Sequence, residues 1–451
     1  MGFVMTELAI LGGGPAGLGV AFYAHRAGLP FVLLEGSSEL GGMCRTLRCG
    51  QHLYDSGAHR FHDRDPEITR DLVELMGDDL VRVNAPSAIW DRGRFIDFPP
   101  TPLNVMFAYG PREAGRIGLD LLRSGLGRRH AALSFEDFAV RRFGRTLARR
   151  ILLNYSEKLW GLPSDQLSPD IATRRLQGMT LRSLLYELVF PGGKTEHVDG
   201  SFLYPRRGYG QIADALVRTL PSESIRTGFA VASVECDNGV LRRIHFAGGQ
   251  TLEVRDRVVS TLPLSFLVKL LGDALPDPAR AAASRLRFRH VRLLFLRLKS
   301  ARMSGHASIY IPDPAFCISR IYEPRNRSAA MAPEGETSVV VEAPCFMGDA
   351  IERLSADAFT EKVVGELTAL FLLNPREVIE SRQHFIANAY PVYTNDYARD
   401  VGLIRKALAG IVNLETLGRA GRFVYSHLHD QLRFGKDYVR TLTEDLRANS
   451  A

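Results

Sequence analysis

Residues Leu8-Ala9-Ile10-Leu11 run directly into Gly12-Gly13-Gly14-Pro15-Ala16-Gly17, and a helix-like stretch follows from Leu18 to Ala27. An apolar run, a G-x-G-x-x-G turn and a helix in this order constrain the chain more than any other feature. They are the strand, the tight turn and the helix N-terminus that a dinucleotide pyrophosphate requires. Gly12 permits the sharp turn, Gly14 lets backbone approach the phosphates, and Gly17 lets the helix lie close to the strand. Pro15 and Ala16 open the helix beside them. A second apolar run, Phe31 to Leu34, ends in Glu35, 18 residues after Gly17. An acid at the end of a second strand is placed to hold a ribose hydroxyl.

The next segment points to one dinucleotide. Gly41-Gly42-Met43-Cys44-Arg45-Thr46 resembles the glycine-pair motif of FAD-binding proteins related to glutathione reductase. Gly41 and Gly42 would let a loop lie flat beneath the pyrophosphate and ribityl chain, and Arg45 would offset phosphate charge. The resemblance therefore implies FAD. No second G-x-G-x-x-G suited to a nicotinamide nucleotide is visible, so any reductant, NAD(P)H or a redox protein, would bind transiently.

With 451 residues, 45% hydrophobic and 24% charged, the chain has the size of two or three globular domains. No apolar run reaches the roughly 18 residues of a membrane span, and no leader pattern precedes Leu8. Five scattered cysteines (Cys44, Cys49, Cys236, Cys317, Cys345) form no metal-ligand spacing and suit reduced thiols in a cytoplasm. Metal binding is not expected. The net charge of +7 comes from scattered arginines, with no basic arm for nucleic acid. Inward-facing arginines suit an anionic small-molecule substrate, because guanidinium matches phosphate geometry. The oligomeric state stays open.

Hydrophobic periodicity organises the remainder. A helix is expected from Pro66 to Met76, and a hairpin over Ala88 to Phe98 turning at Arg92-Gly93. From Leu103 to Leu188 the pattern is mostly helical. Strands follow between Val231 and Leu264, then at Phe288 to Leu298, Ser308 to Ile311 and Ser338 to Glu342. Helices are expected over Ala356 to Leu372 and Gly435 to Arg447. This order predicts an α/β protein with a discontinuous Rossmann-like FAD-binding domain (1–62, 200–265 and 405–451). A helical insert (100–199) and a mixed β-sheet substrate domain (63–99 and 266–404) interrupt it.

Several internal motifs, in order, resemble the UDP-galactopyranose mutase branch of the FAD superfamily, which also holds protoporphyrinogen oxidase and the amine oxidases. Gly57-Ala58-His59-Arg60-Phe61-His62 is similar to the segment beside the flavin ring, which implies cofactor roles for Gly57 and His59 and a catalytic one for His59. Tyr155 to Gly161 resembles a Tyr-Thr-x-Lys-x-Trp-Gly motif, and Arg174 follows Trp160 by 14 residues. The resemblance implies that Tyr155 and Trp160 contact substrate and that Arg174 is catalytic. Tyr204 to Gly210 resembles the Pro-x-x-Gly-Tyr turn of related oxidases. Ser319 to Asn326 resembles the segment carrying a second active-site arginine, here Arg320, with Asn326 replacing the usual histidine. Tyr397, downstream of Tyr390-Pro391, and Tyr425 match tyrosines that reach substrate phosphates. Gly418 and Arg419 match a pyrophosphate-binding pair, and Ala230 and Val231 complete the implied cofactor set. The mutases usually carry Tyr-Asp-Met where this chain has Ser426-His427-Leu428.

Two functions follow. A mutase-like enzyme would use reduced flavin to isomerise the ring of a nucleotide sugar without net redox change. An oxidoreductase would instead take hydride from a sugar, amine or alicyclic substrate and pass it to oxygen or another acceptor. The Trp160–Arg174 spacing, Arg320 and Tyr425 favour the mutase-like reading, which leads, and the departures at Asn326 and Ser426-His427 support the oxidoreductase as its alternative.

Overall fold

The computed structural model describes residues 8–98, 107–125, 132–175 and 201–450. Its organising element is a five-stranded parallel sheet in the order Leu414–Thr416, Arg257–Ser260, Leu8–Leu11, Phe31–Glu35, Ile225–Thr227. These strands come from three distant parts of the chain, so the expected discontinuous Rossmann-like arrangement is present. The near-continuous apolar sequences of Leu8–Leu11 and Phe31–Leu34 reflect burial on both faces. Leu8, Ile10, Phe31, Leu33 and Val259 join one core with the first and last helices. The alternate residues Ala9, Leu11, Val32, Leu34 and Val258 join another. That second core is covered by the antiparallel sheet Val231–Asp237, Val240–Phe246, Thr251–Glu253.

The first helix, Pro15–Arg26, lies against the last, Leu428–Ser450, at very short range. A Cβ on Gly435 would stand 2.6 Å from the Val20 nitrogen, so only glycine permits this approach. The last helix is longer than its expected Gly435 to Arg447. Arg433 and Lys436 on it form ion pairs with Asp65 and Asp71 at 2.8 and 2.7 Å. These acids belong to the helix Pro66–Met76 and its cap, where Asp65 accepts from the Glu67 and Ile68 amides.

A seven-stranded mixed sheet forms the second body, in the order Val378–Pro391, Phe288–Leu298, Thr337–Cys345, Arg320–Tyr322, Ser308–Tyr310, Ser87–Asp91, Arg94–Phe98. One face packs on the helix Ala356–Ala369 through Leu294, Leu296, Val339, Val341, Phe359 and Val363. The opposite face packs on the Thr46–Asp55 segment through Val291, Leu293, Phe295, Val340, Cys49 and Tyr54. The helical insert contains Pro111–Gly125, Phe135–Phe143, and a run Arg145–Trp160 that widens to a π-turn over Ala148–Leu153. Parts of the expected Leu103 to Leu188 region lie outside the described residues.

The expected hairpin is found as Ser87–Asp91 and Arg94–Phe98, and Phe288–Leu298 matches its expected bounds. Several elements had no counterpart in the expected pattern. They include the 14-residue strand Val378–Pro391, the hairpin Thr46–Cys49/His52–Asp55, and the pairing of Leu80–Asn84 with Ser201–Pro205. Among the described residues no helix is long and apolar enough to cross a membrane.

Candidate active site

One cavity of about 730 Å³ runs from the carboxyl ends of the parallel strands to the inner face of the seven-stranded sheet. The carboxyl edge of such a sheet is where dinucleotide phosphates bind. Gly12, Gly14, Pro15 and Ala16 line this end. No side chain caps the Pro15–Arg26 helix, so its first N–H groups remain open to an anion. Gly17 is required behind the turn, because a Cβ there would enter the Gly12 carbonyl oxygen. Glu35 lines the cavity, with its two oxygens accepting from the Gly13 and Ser37 amides at 2.7 and 2.8 Å. These bonds hold the carboxylate in place and leave lone pairs for ribose hydroxyls.

Gly42, Gly57, Gly418 and Arg419 close the same end. The Arg419 guanidinium donates to the Ser426 and Ala389 carbonyls and lies over the Tyr425 ring at 5.1 Å. Among the described residues no carboxylate pairs with it, so its charge is available to a phosphate. An uncapped helix, a fixed acid and an uncompensated arginine fit the adenosine, ribose and pyrophosphate of FAD. Arg45 is engaged at 2.8 Å with Glu39, and neither it nor Gly41 lines the cavity. Ala230 packs on Gly36, and Ala230 and Val231 also lie outside the lining.

The far end is a chamber with tyrosine walls: Tyr155, Tyr310, Tyr390 and Tyr425. Tyr155 and Tyr310 meet edge-on at 5.4 Å, and Tyr390 and Tyr425 stack at 6.3 Å. Arg320 also borders the chamber, paired with a residue the sequence reading had not singled out. Arg320 and Glu342 are direct cross-strand neighbours, and they form a bidentate ion pair at 2.9 and 2.7 Å. Burial opposes the Arg320 charge, but the Glu342 carboxylate outweighs it and holds the guanidinium well above its usual pKa. Glu342 also accepts from the Ala58 amide at 3.0 Å, tying the sheet to the Gly57–His62 loop. An acid inside the apolar strand Thr337–Cys345 was the one available signal.

His59 borders the cavity and stacks on Tyr209 at 4.9 Å. Burial, reinforced by Arg419 and Arg320, lowers its pKa to about 3. It is therefore a neutral imidazole, and its Nε2 has no partner among the described residues. His427 stands 5.1 Å from His62 and is lowered to about 2 by burial, then by His62 and Arg419. No group of residues suited to a metal ion occurs among the described residues.

Trp160 and Tyr397 do not line the cavity. Trp160 is 1% exposed and stacks on Tyr393 at 6.2 Å, one layer behind Tyr390 and Tyr425. Tyr397 stacks on the other side of Tyr393 at 4.1 Å and donates to Asp170. Arg174 is on the helix Asp170–Arg175, and its side chain lies outside the described residues.

Cradle and chamber together define a flavoprotein whose dinucleotide site is continuous with a tyrosine-lined space. The family model for flavin containing amine oxidoreductases matches residues 15–404. The chain belongs to that family and is an FAD-dependent enzyme. Its structure is similar to that of reduced UDP-galactopyranose mutase, with TM-score 0.85 and 20% identity over 98% of this chain and 94% of that one. It is also similar to the protoporphyrinogen oxidase-type protein of Exiguobacterium sp. 255-15, with TM-score 0.76 and 21% identity over 98% and 100%. At these identities the likeness concerns the fold. A ferredoxin–NADP reductase of Streptococcus equi subsp. zooepidemicus is 37% identical over 79 residues, 17% of this chain and 24% of that protein. The chain thus spans about a quarter of the length of that curated relative.

Proposed function

We propose that this enzyme is an FAD-dependent oxidoreductase that oxidises a small organic substrate, a sugar, an amine or an alicyclic compound, in the tyrosine chamber. The observation that carries this reading is the Arg320–Glu342 pair. A guanidinium already neutralised by a bidentate carboxylate is poorly suited to balance a diphosphate. Trp160 and Tyr397, two further residues of the nucleotide-sugar reading, stand behind the chamber wall.

FAD held by the Gly12–Gly17 turn, Glu35 and Arg419 would supply two-electron acceptor chemistry, with an external oxidant such as oxygen as the final acceptor. The protein supplies the surroundings. The tyrosines exclude water from the reacting bond. Glu342 fixes Arg320 and the Ala58 amide together. His59, held neutral, offers a hydrogen-bonding edge without adding positive charge.

Anaerobic addition of candidate substrates tests this reading, with bleaching of the flavin absorption as the expected result. A second reading, ring isomerisation of a nucleotide sugar, draws on Tyr155, Arg320 and Tyr425 all bordering one chamber. Interconversion of UDP-galactose and UDP-galactofuranose by dithionite-reduced protein, with no net flavin redox change, would favour it over oxidation.

A further inference from the structure

Arg60 lies between His59 and Phe61 in the loop beside the cavity. Its side chain borders the chamber together with Ser87, Phe98 and Tyr310. The guanidinium donates to the Ser87 hydroxyl and sits over the Phe202 ring at 4.8 Å. Both partners are neutral. Among the described residues no carboxylate lies within ion-pair distance of it.

Its neighbours differ in this respect. Arg320 is matched by Glu342, and Arg327 faces the buried Asp55 carboxylate electrostatically. Burial lowers the Arg60 pKa only to about 10, so the side chain carries its full charge at neutral pH. A buried guanidinium without a counter-charge is unfavourable unless something else supplies one. The open space beside it is the substrate chamber.

We propose that Arg60, with Ser87 beside it, anchors a carboxylate of the substrate. The ligand class is an organic monoanion with an apolar body. One uncompensated guanidinium balances one carboxylate, whereas a diphosphate brings more charge than this wall offsets. Phe98 and Tyr310, 5.0 Å apart, provide the surface for the body. The proposal rests on the oxidoreductase reading for what happens to the bound molecule, but binding is measured separately from turnover.

The test titrates the oxidised, FAD-loaded protein with benzoate and with the uncharged benzamide, reading the flavin visible spectrum. Benzoate is expected to bind saturably and at least about 10-fold more tightly than benzamide. Arg60→Gln should weaken benzoate by about 10- to 100-fold while retaining FAD, and Arg60→Lys should recover part of the loss. Equal binding of benzoate and benzamide overturns the proposal, as does failure of benzoate to bind at all. That wild-type comparison decides even if the variants do not fold. Benzoate affinity unchanged in Arg60→Gln overturns it too, and inorganic pyrophosphate binding more tightly than benzoate would assign the site to phosphate instead. Absence of flavin bleaching by any substrate would count against the oxidoreductase reading alone, because benzoate binding does not depend on it.

Discussion

The two ends of the cavity recognise their ligands by different means. The dinucleotide end is built largely from backbone: a turn, a helix N-terminus and glycines, with Gly418 and Arg419 added from the far end of the chain. The chamber is built from side chains, with Tyr155, Tyr310, Glu342 and Tyr390 delivered by four separate elements and Tyr425 by the loop before the last helix. Backbone recognition depends on what a residue lacks, and it tolerates no added atom. Side-chain recognition depends on register and charge balance, and it degrades by degrees.

The sharpest way to break this contrast is at Gly17. Gly17→Val would drive a side chain into the Gly12 carbonyl, which cannot yield. The expected outcome is complete loss of co-purifying flavin, measured by absorbance. Full flavin content would mean that the cradle is softer than its geometry implies.

The chamber should respond less absolutely. Glu342→Ala strands the buried Arg320 charge and should cost about 3–5 kcal/mol in chemical denaturation. Pairing it with Arg320→Leu should restore much of that loss, because the unpaired charge is then gone. A double variant as unstable as the single one would show that Glu342 acts through the Ala58 amide instead.

A pH titration compares the two ends on one axis. The folded pKa of His59, at about 3, lies below its ordinary value of 6.5. Below pH 6.5 the unfolded chain binds a proton that the folded chain refuses. Stability is thus present above pH 6.5 and is lost as pH falls toward 3, by up to about 1.4 kcal/mol per pH unit for this group. His59→Gln should flatten that slope in calorimetry performed across the window. An unchanged slope would assign the acid sensitivity to other groups, His427 among them.

The smallest effect is expected away from both ends. Arg433→Ala removes partly exposed ion pairs with Asp65 and Glu67. It should cost about 1 kcal/mol or less and leave flavin content unchanged. Loss of flavin here would mean that the packing of the last helix on the first, rather than the cradle itself, limits cofactor binding.

Sequence made the two ends unequally legible for the same reason. Gly12, Gly14, Gly17 and Glu35 could be placed because the constraint linking them is local. The Asp65-capped helix and the Phe288–Leu298 strand were readable from a proline after a capping residue and a dense apolar run. The strand Val378–Pro391 was not, since it is an edge strand whose polar and apolar residues follow no simple alternation. Glu342 was hidden because its partner lies 22 residues away, and only sheet register brings the two together. Trp160 was rare enough to be noticed, but rarity says nothing about which side of a chamber wall a ring occupies.

The close seating of the last helix on the first has a consequence for biosynthesis. The motif that reads the dinucleotide leaves the ribosome early, but the strand Leu414–Thr416, Arg419 and the helix that bears Gly435 are made hundreds of residues later. A nascent chain therefore displays its nucleotide signature long before the residues that complete the cradle exist. A chain cut before residue 414 carries the signature but lacks the edge strand, Gly418, Arg419 and the last helix that complete the cradle.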